Sequence, residues 1–515
     1  MSMTFDRTSA DWQIDARPGR ATTDGDYDVV VIGSGMGGLG CAALLSKWGY
    51  RTLVLEHHNL VGGYYSSFSR SGFRFNVGAM EITGLWDGGP FDLFLRELGL
   101  KVEDYFSTNS YNYRLGEWRI EPFEDLGGLT EQFSSQFPGE VDGIASFFAD
   151  AQAAHQEWFL DGRLYGCPPP PRLIGQVFGE DRLREDAARR RRYYDWHGKS
   201  WGEKLDEHFR GDGIKALLDF LLNHLQVDPH LTPAEVALRT FAFMRYGSYY
   251  PKGGAQALSD AVRDAIRDQG GEVLTCHTAE EIVTKEGRVI GVRTGDEVFR
   301  SDVVVSNSCV KNTILDLVDP RELPPGYLSD VEAIEMQEAY FLVFLGVDMD
   351  LRDYPTMTQV LDLENDDFFM VAINSNADSS YAPAGQASIS IFSWADYDDF
   401  PPRGTPEYQL KKEAHATRVV ELAGSVIPGL AGKIVAQDAA TPRTLERYTL
   451  TPRGSGEGIR WSTEAPLPWF KSPVEGLYLA GSSTYPGAGL ELALMSGIIC
   501  ANDIDGWQVN RRWGG

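Results

Sequence analysis

Three glycines carry the first chemistry legible in this chain. Residues 28–38 read Asp-Val-Val-Val-Ile-Gly-Ser-Gly-Met-Gly-Gly, an apolar strand running into a glycine-rich turn. Gly33 permits the tight turn, Gly35 lets backbone approach a pyrophosphate, and Gly38 lets the following helix pack close to the strand. A helix over Met36–Trp48 would point its positive N-terminal end at the phosphates. A second strand, Arg51–Leu55, delivers Glu56 at the spacing expected for a ribose hydroxyl partner. The pattern predicts a dinucleotide site built from backbone.

Two further glycine signals follow. Leu60-Val-Gly62-Gly63-Tyr-Tyr-Ser66 reads either as a close backbone approach to a ligand or as an ordinary loop. Near the end of the chain, Gly476–Ala480 forms a strand that delivers a small-residue turn, with a helix starting directly behind Pro486-Gly487. Two carboxylates stand among apolar neighbours: Glu81, between Met80 and Ile82, and Glu491, inside Gly489-Leu-Glu-Leu-Ala-Leu-Met. Desolvation would raise the pKa of either and make it a proton donor. The plainer role for Glu491 is to stabilise the first turn of its helix, and for Glu81 a merely polar one. No Ser-His-Asp or Cys-His arrangement is legible, and the nine histidines show no metal spacing.

The elements that must position these residues suggest two or three domains in 515 residues. Hydrophobic residues make up 43%, which excludes a largely disordered chain, and a formal charge of −27 argues against nucleic acid. Five scattered cysteines (Cys41, Cys167, Cys276, Cys309, Cys500) suggest neither a disulfide framework nor a zinc site, and fit a reducing cytoplasm. The first 25 residues lack the apolar core of a secretory signal, and no run approaches the ~18 apolar residues that would span a bilayer.

After a loose tail at 1–25, the layout predicts a nucleotide domain in three pieces, 26–84, 251–310 and 441–515. Blocks 85–250 and 311–440, the first bearing the Pro168–Pro171 cluster, build a second domain. Within them the periodicity predicts helices over Lys199–Phe220, Ala255–Gln269 and Leu490–Asp503. It predicts strands over Glu272–Thr275, Glu281–Lys285, Val289–Thr294, Asp302–Ser306, Ala339–Val347, Phe368–Ile373 and Ala387–Phe392. Aromatics of the second domain (Phe241, Phe243, Tyr246, Tyr249, Tyr250, Tyr340, Phe341, Phe344, Phe368, Phe369) either line an apolar tunnel or form ordinary core. The run Arg182, Arg184, Arg189–Arg192 with Tyr193, Tyr194 and Trp196 suits either a membrane interface or a helix face paired with acids.

The glycine signals, together with Tyr250-Pro-Lys-Gly253-Gly254, Gly270-Gly271, Val304-Val-Ser-Asn307 and Leu479-Ala-Gly481…Ser496-Gly497, occur in one order along nearly the whole chain. In that order they resemble the carotenoid desaturase, carotenoid isomerase and retinol saturase branch of the FAD-dependent amine-oxidase-like flavoproteins. The resemblance implies an α/β fold: a Rossmann-type FAD-binding domain assembled from discontinuous segments, plus a mixed-sheet and helical substrate domain.

It also implies FAD held by Gly33, Gly35 and Gly38 at the pyrophosphate and by Glu56 at the adenosine ribose. Arg70 and the Gly62-Gly63 backbone would lie towards the flavin, the main chain of Val273 at the adenine, and Gly481, Ser482, Gly489 and Leu490 at the distal phosphate and ring. Glu81 falls in a segment that passes the substrate face of the flavin in relatives. Position 482 is Ser where many relatives place an acid, and position 76 is Asn where Asp is common. The implied reaction is desaturation or saturation of a C–C bond in a hydrophobic polyene by hydride exchange with flavin N5. Alternatives are a redox-neutral cis/trans isomerisation needing reduced flavin, an amine oxidation, and a non-catalytic FAD or lipid carrier. The resemblance leaves the oligomeric state open and allows a cytoplasmic protein in peripheral contact with membranes.

Overall fold

The computed structural model describes residues 27–159, 171–222, 228–365, 367–465 and 467–506. The tail at 1–25, Cys167 and Pro168–Pro170 lie outside these residues; the side chain of Pro171 also falls outside. Five parallel strands form the first sheet, in the order Leu477–Leu479, Val304–Ser306, Val29–Ile32, Thr52–Glu56, Glu272–Thr275. All three separated pieces of the chain contribute to it. Its strands read as unbroken apolar runs because both faces are covered. Val29 and Val31 pack towards the helices, whereas Val30 and Ile32 meet Ile282, Val289 and Val292 of a three-stranded antiparallel sheet. Helices Met36–Lys47 and Leu490–Ile504 are drawn into close contact by glycine: a Cβ on Gly497 would stand 2.0 Å from the Gly37 carbonyl oxygen. Helix Ala255–Asp268 packs beside the first of these.

The second sheet has seven strands, in the order Ile434–Ala440, Ala339–Val347, Ala387–Ala395, Asp367–Ile373, Met357–Asp362, Tyr111–Leu115, Trp118–Ile120. Alternation sorts its side chains. Phe341, Val343, Leu345, Phe369 and Val371 share a core with Val419 and Val420 of helix Pro406–Ala423. The intervening residues face the rest of the molecule.

Three expectations change in the structure. The helix expected over Lys199–Phe220 is two, Trp201–His208 and Asp212–Leu222. Ser200 and Glu203 close a capping box at the first, and Phe209 leaves helical geometry (φ −128°, ψ 148°) to bury its ring. Residues 312–336 do not join the second sheet. Ile314, Val318 and Val331 pack beneath the parallel sheet with Val30 and Leu53, and the large sheet begins at Ala339. Helix Pro442–Thr449 goes the other way, directly following strand Ile434–Ala440, with Tyr408 Oη 3.0 Å from Thr441 Oγ1.

Four arginines of the run are paired with acids. Arg190 is buried against Asp186 at 3.3 Å, Arg192 reaches Asp150 at 3.1 Å, and Arg182 and Arg184 pair with Glu185 and Asp181. Tyr193 and Trp196, the aromatics that a lipid interface would use, are buried. Among the described residues no helix is long and apolar enough to cross a membrane.

Candidate functional site

A cavity of about 590 Å³ runs from the parallel sheet to the large mixed sheet. Its first end is glycine backbone. Gly33 (φ +86°) donates its N–H to the Leu55 carbonyl at 2.8 Å, so the turn is tied to the neighbouring strand. Gly35 is the N-cap of helix Met36–Lys47; it offers no capping side chain, and the first turn holds no acid. The helix therefore presents its leading N–H groups and positive end to the cavity. Helix Leu490–Ile504 arrives from the opposite end of the chain and is likewise capped only by glycine, Gly489. The first of these helix ends, with Gly62, Gly63, Gly481 and Ser482 lining the same cavity, suits a diphosphate, whereas the second carries Glu491 in its first turn.

Glu56 ends its strand at the cavity, as expected. Its Oε2 accepts from the Ser34 N–H at 2.8 Å and hydroxyl at 2.5 Å, and its Oε1 accepts from the His58 N–H at 2.7 Å. The carboxylate thus fastens the glycine turn and keeps lone pairs for a ribose hydroxyl. His57 lines the same end, with Nδ1 2.7 Å from Thr278 Oγ1.

Gly33, Gly35, Gly62, Gly63, Gly481, Ser482, Gly489 and Leu490 are brought together, with Gly38 behind them in the first helix turn. Two expected residues are not. Arg70 ends the first strand of the hairpin Ser67–Asn76 and pairs with Asp438, its side chain 56% exposed. Its guanidinium is held by the large sheet's edge strand and does not line the cavity. Val273 lies inside the last strand of the parallel sheet, in register with Val54; the chain reaches the cavity only after the strand ends, at Thr278 and Ala279. Asn76 is also structural: its Oδ1 accepts from the Ala255 N–H at 3.0 Å and its Nδ2 donates to Tyr381 Oη at 3.1 Å.

Asn307, noted in the sequence only as part of a motif, has a definite place. Its Oδ1 accepts from the Gly38 N–H at 2.8 Å, and a Cβ on Gly35 would meet its Nδ2 at 2.5 Å. It also packs against Gly481, so one amide side chain joins the first and third glycine segments. The signal was its position immediately after a buried strand.

At the junction with the second sheet stand Glu81 and Glu491. Burial, then the charge of Glu491, pushes Glu81 up to about 8. Burial pushes Glu491 up to about 7, with the opposing attraction of Arg239 holding it lower. Arg239 was not found from sequence. It is 7% exposed, donates from Nη1 to the Ala488 carbonyl at 2.6 Å, and lies 3.6 Å from Glu457 Oε2. Glu457 in turn accepts from Tyr340 Oη at 2.9 Å.

Beyond these acids the wall is apolar. Of the ten expected aromatics, Phe243, Tyr340 and Phe368 line the cavity. Phe341 and Phe369 point to the opposite face of the sheet, one residue out of phase. Trp394, stacked on Tyr340 at 4.7 Å, and Phe392 complete the wall from a strand whose full length the sequence did not reveal.

The profile of flavin containing amine oxidoreductases matches residues 36–505. Prolycopene isomerase from Daucus carota chloroplasts is 26% identical over 501 residues, covering 93% of this chain and 80% of that protein. Phytoene desaturase (neurosporene-forming) from Rhodobacter capsulatus is 27% identical over 524 residues, covering 94% of each. An oxidoreductase of Methanosarcina mazei superposes with a TM-score of 0.62 at 18% identity, over 91% of this chain and 98% of its own, a likeness of fold. The chain belongs to the flavin containing amine oxidoreductase family.

Proposed function

We propose that this enzyme desaturates or saturates a C–C bond of an apolar polyene. The observation that carries the proposal is one cavity with a glycine-lined, helix-capped end, an apolar aromatic end, and two carboxylic acids where they meet. FAD would be held by the turns at Gly33–Gly35, Gly62-Gly63 and Gly481-Ser482 and by the helix starting at Gly489, with Glu56 at the ribose and Asn307 securing the cradle. The flavin supplies hydride exchange at N5. The relatives' names support a polyene: an isomerase of prolycopene and a desaturase of phytoene.

The acids have work to do in either direction. Saturation adds a hydride to one carbon and a proton to its neighbour, and Glu81, protonated at neutral pH, presents that proton. Desaturation removes both, and the Glu81–Glu491 pair, holding about one proton near neutrality, accepts it. Arg239 keeps Glu491 the more acidic partner. We also read the chain as two domains, 27–84 with 251–338 and about 456–506, and 85–250 with 339–455.

Product analysis tests the reading. Flavin-loaded protein, oxidised or reduced, is incubated with polyenes and the products weighed by mass spectrometry. A change of two hydrogens is expected. Unchanged mass with a changed double-bond geometry would replace this reading by isomerisation. Hydrogen peroxide from amines, with polyenes untouched, would overturn it.

A further inference from the structure

The apolar wall contains an amide that a hydrocarbon cannot satisfy. Gln359 lies on strand Met357–Asp362, 2% exposed, and lines the cavity. Its cross-strand neighbours are Met370 and Tyr113, with Met357 beside it on the same face. Tyr111 donates its hydroxyl to Gln359 Oε1 at 3.0 Å, and the Tyr111 ring is fixed by stacking on Tyr113 at 4.5 Å. Among the described residues Gln359 Nε2 has no hydrogen-bond partner. Water in the open cavity can meet its two hydrogens, but an apolar ligand that shuts water out would leave them unsatisfied, at a cost. Evolving a leucine or a third methionine here would have removed it.

We propose that the substrate is an apolar chain ending in an oxygen function, a carbonyl or hydroxyl, that accepts a hydrogen bond from Gln359 Nε2. This rests on the polyene reading of the cavity and narrows it. A hydroxyl, being both donor and acceptor, meets the amide whichever of its two ends faces the ligand. The oxygen also fixes the direction of the chain. Tyr111 adjoins Gln359, and Glu81 lines the same cavity. The bond that reacts at Glu81 then stands at a set distance from the oxygenated end, and one enzyme treats one position of the chain.

The test is an equilibrium titration of the flavin-loaded protein with three ligands of equal chain length: a polyene aldehyde, its alcohol, and the hydrocarbon with a methyl in their place. Quenching of tryptophan fluorescence reports binding, and the absorbance maximum of the bound aldehyde reports the hydrogen bond. The wild type should bind the oxygenated ligands about tenfold or more tightly than the hydrocarbon. In Gln359→Met the preference should fall to about 1, hydrocarbon binding should persist, and the aldehyde maximum should move to shorter wavelength. Equal binding of all three by the wild type overturns the inference and leaves the polyene reading standing, as does a preference that survives in Gln359→Met. Binding of none of them overturns both.

Discussion

At one end of the cavity the surface is main chain: Gly33, Gly35, Gly62, Gly63, Gly481 and Gly489, with two glycine-capped helix ends. At the other end it is side chains (Tyr111, Tyr340, Gln359, Phe368, Trp394) drawn from five strands of one sheet. The first end suits a ligand that never varies, because backbone has one chemistry and tolerates no Cβ. The second suits a ligand that differs among relatives, since each side chain can change without moving the strand beneath it. If that contrast is right, single substitutions at the two ends should fail in different ways.

The largest effect should come from Gly38→Ala. The new Cβ would stand 2.2 Å from the Gly33 carbonyl oxygen, a backbone atom that cannot step aside. We expect a loss of about 3 kcal/mol in stability and protein purified without yellow colour, read by thermal unfolding and visible absorbance.

Glu81→Gln should keep the flavin and lose the chemistry, with kcat falling about 100-fold or more in steady-state assays. Wild-type saturation should decline as pH rises through about 8, where Glu81 gives up its proton, and the variant should lack that limb. Stability carries the same signature. Burial raises this acid from its ordinary 4.5, so its favourable contribution is complete below about 4.5 and is lost as pH rises through about 8. Denaturant titrations of Glu81→Gln should show a flatter stability profile across that window.

Asn307→Ala sharpens the comparison from the backbone end. It removes the acceptor of the Gly38 N–H and the brace between two glycine segments, so flavin affinity should weaken about tenfold while kcat at saturating FAD is unchanged. Smallest is Arg70→Ala. This exposed ion pair with Asp438 should be worth less than about 1 kcal/mol, with flavin content unaffected. A colourless Arg70→Ala would return that residue to the cofactor and break the contrast.

The same division explains what could be read from sequence. The glycine turn, Glu56 and the helix at Leu490 are local patterns, each complete within about twenty residues, and each lines the cavity as expected. Glu81 and Glu491 were visible as acids in apolar runs. Their proximity was not, nor was Arg239, because the three meet only through tertiary packing. Strand Met357–Asp362 escaped notice since Thr358, Gln359 and Asp362 interrupt its apolar pattern, and Gln359 escaped with it. Val273 was placed by family pattern, whereas the chain reaches the cavity only after its strand ends. Arg70 was placed by family pattern, and a hairpin carried it outward.

The most direct test of the account is an anaerobic absorbance titration of the flavin-loaded protein against polyenes and, in parallel, amines. Stoichiometric bleaching of the oxidised flavin by a saturated or partly saturated polyene, or recovery of colour when the reduced protein meets a more unsaturated one, is the result predicted. Flavin that is bleached by amines and indifferent to every polyene would contradict it.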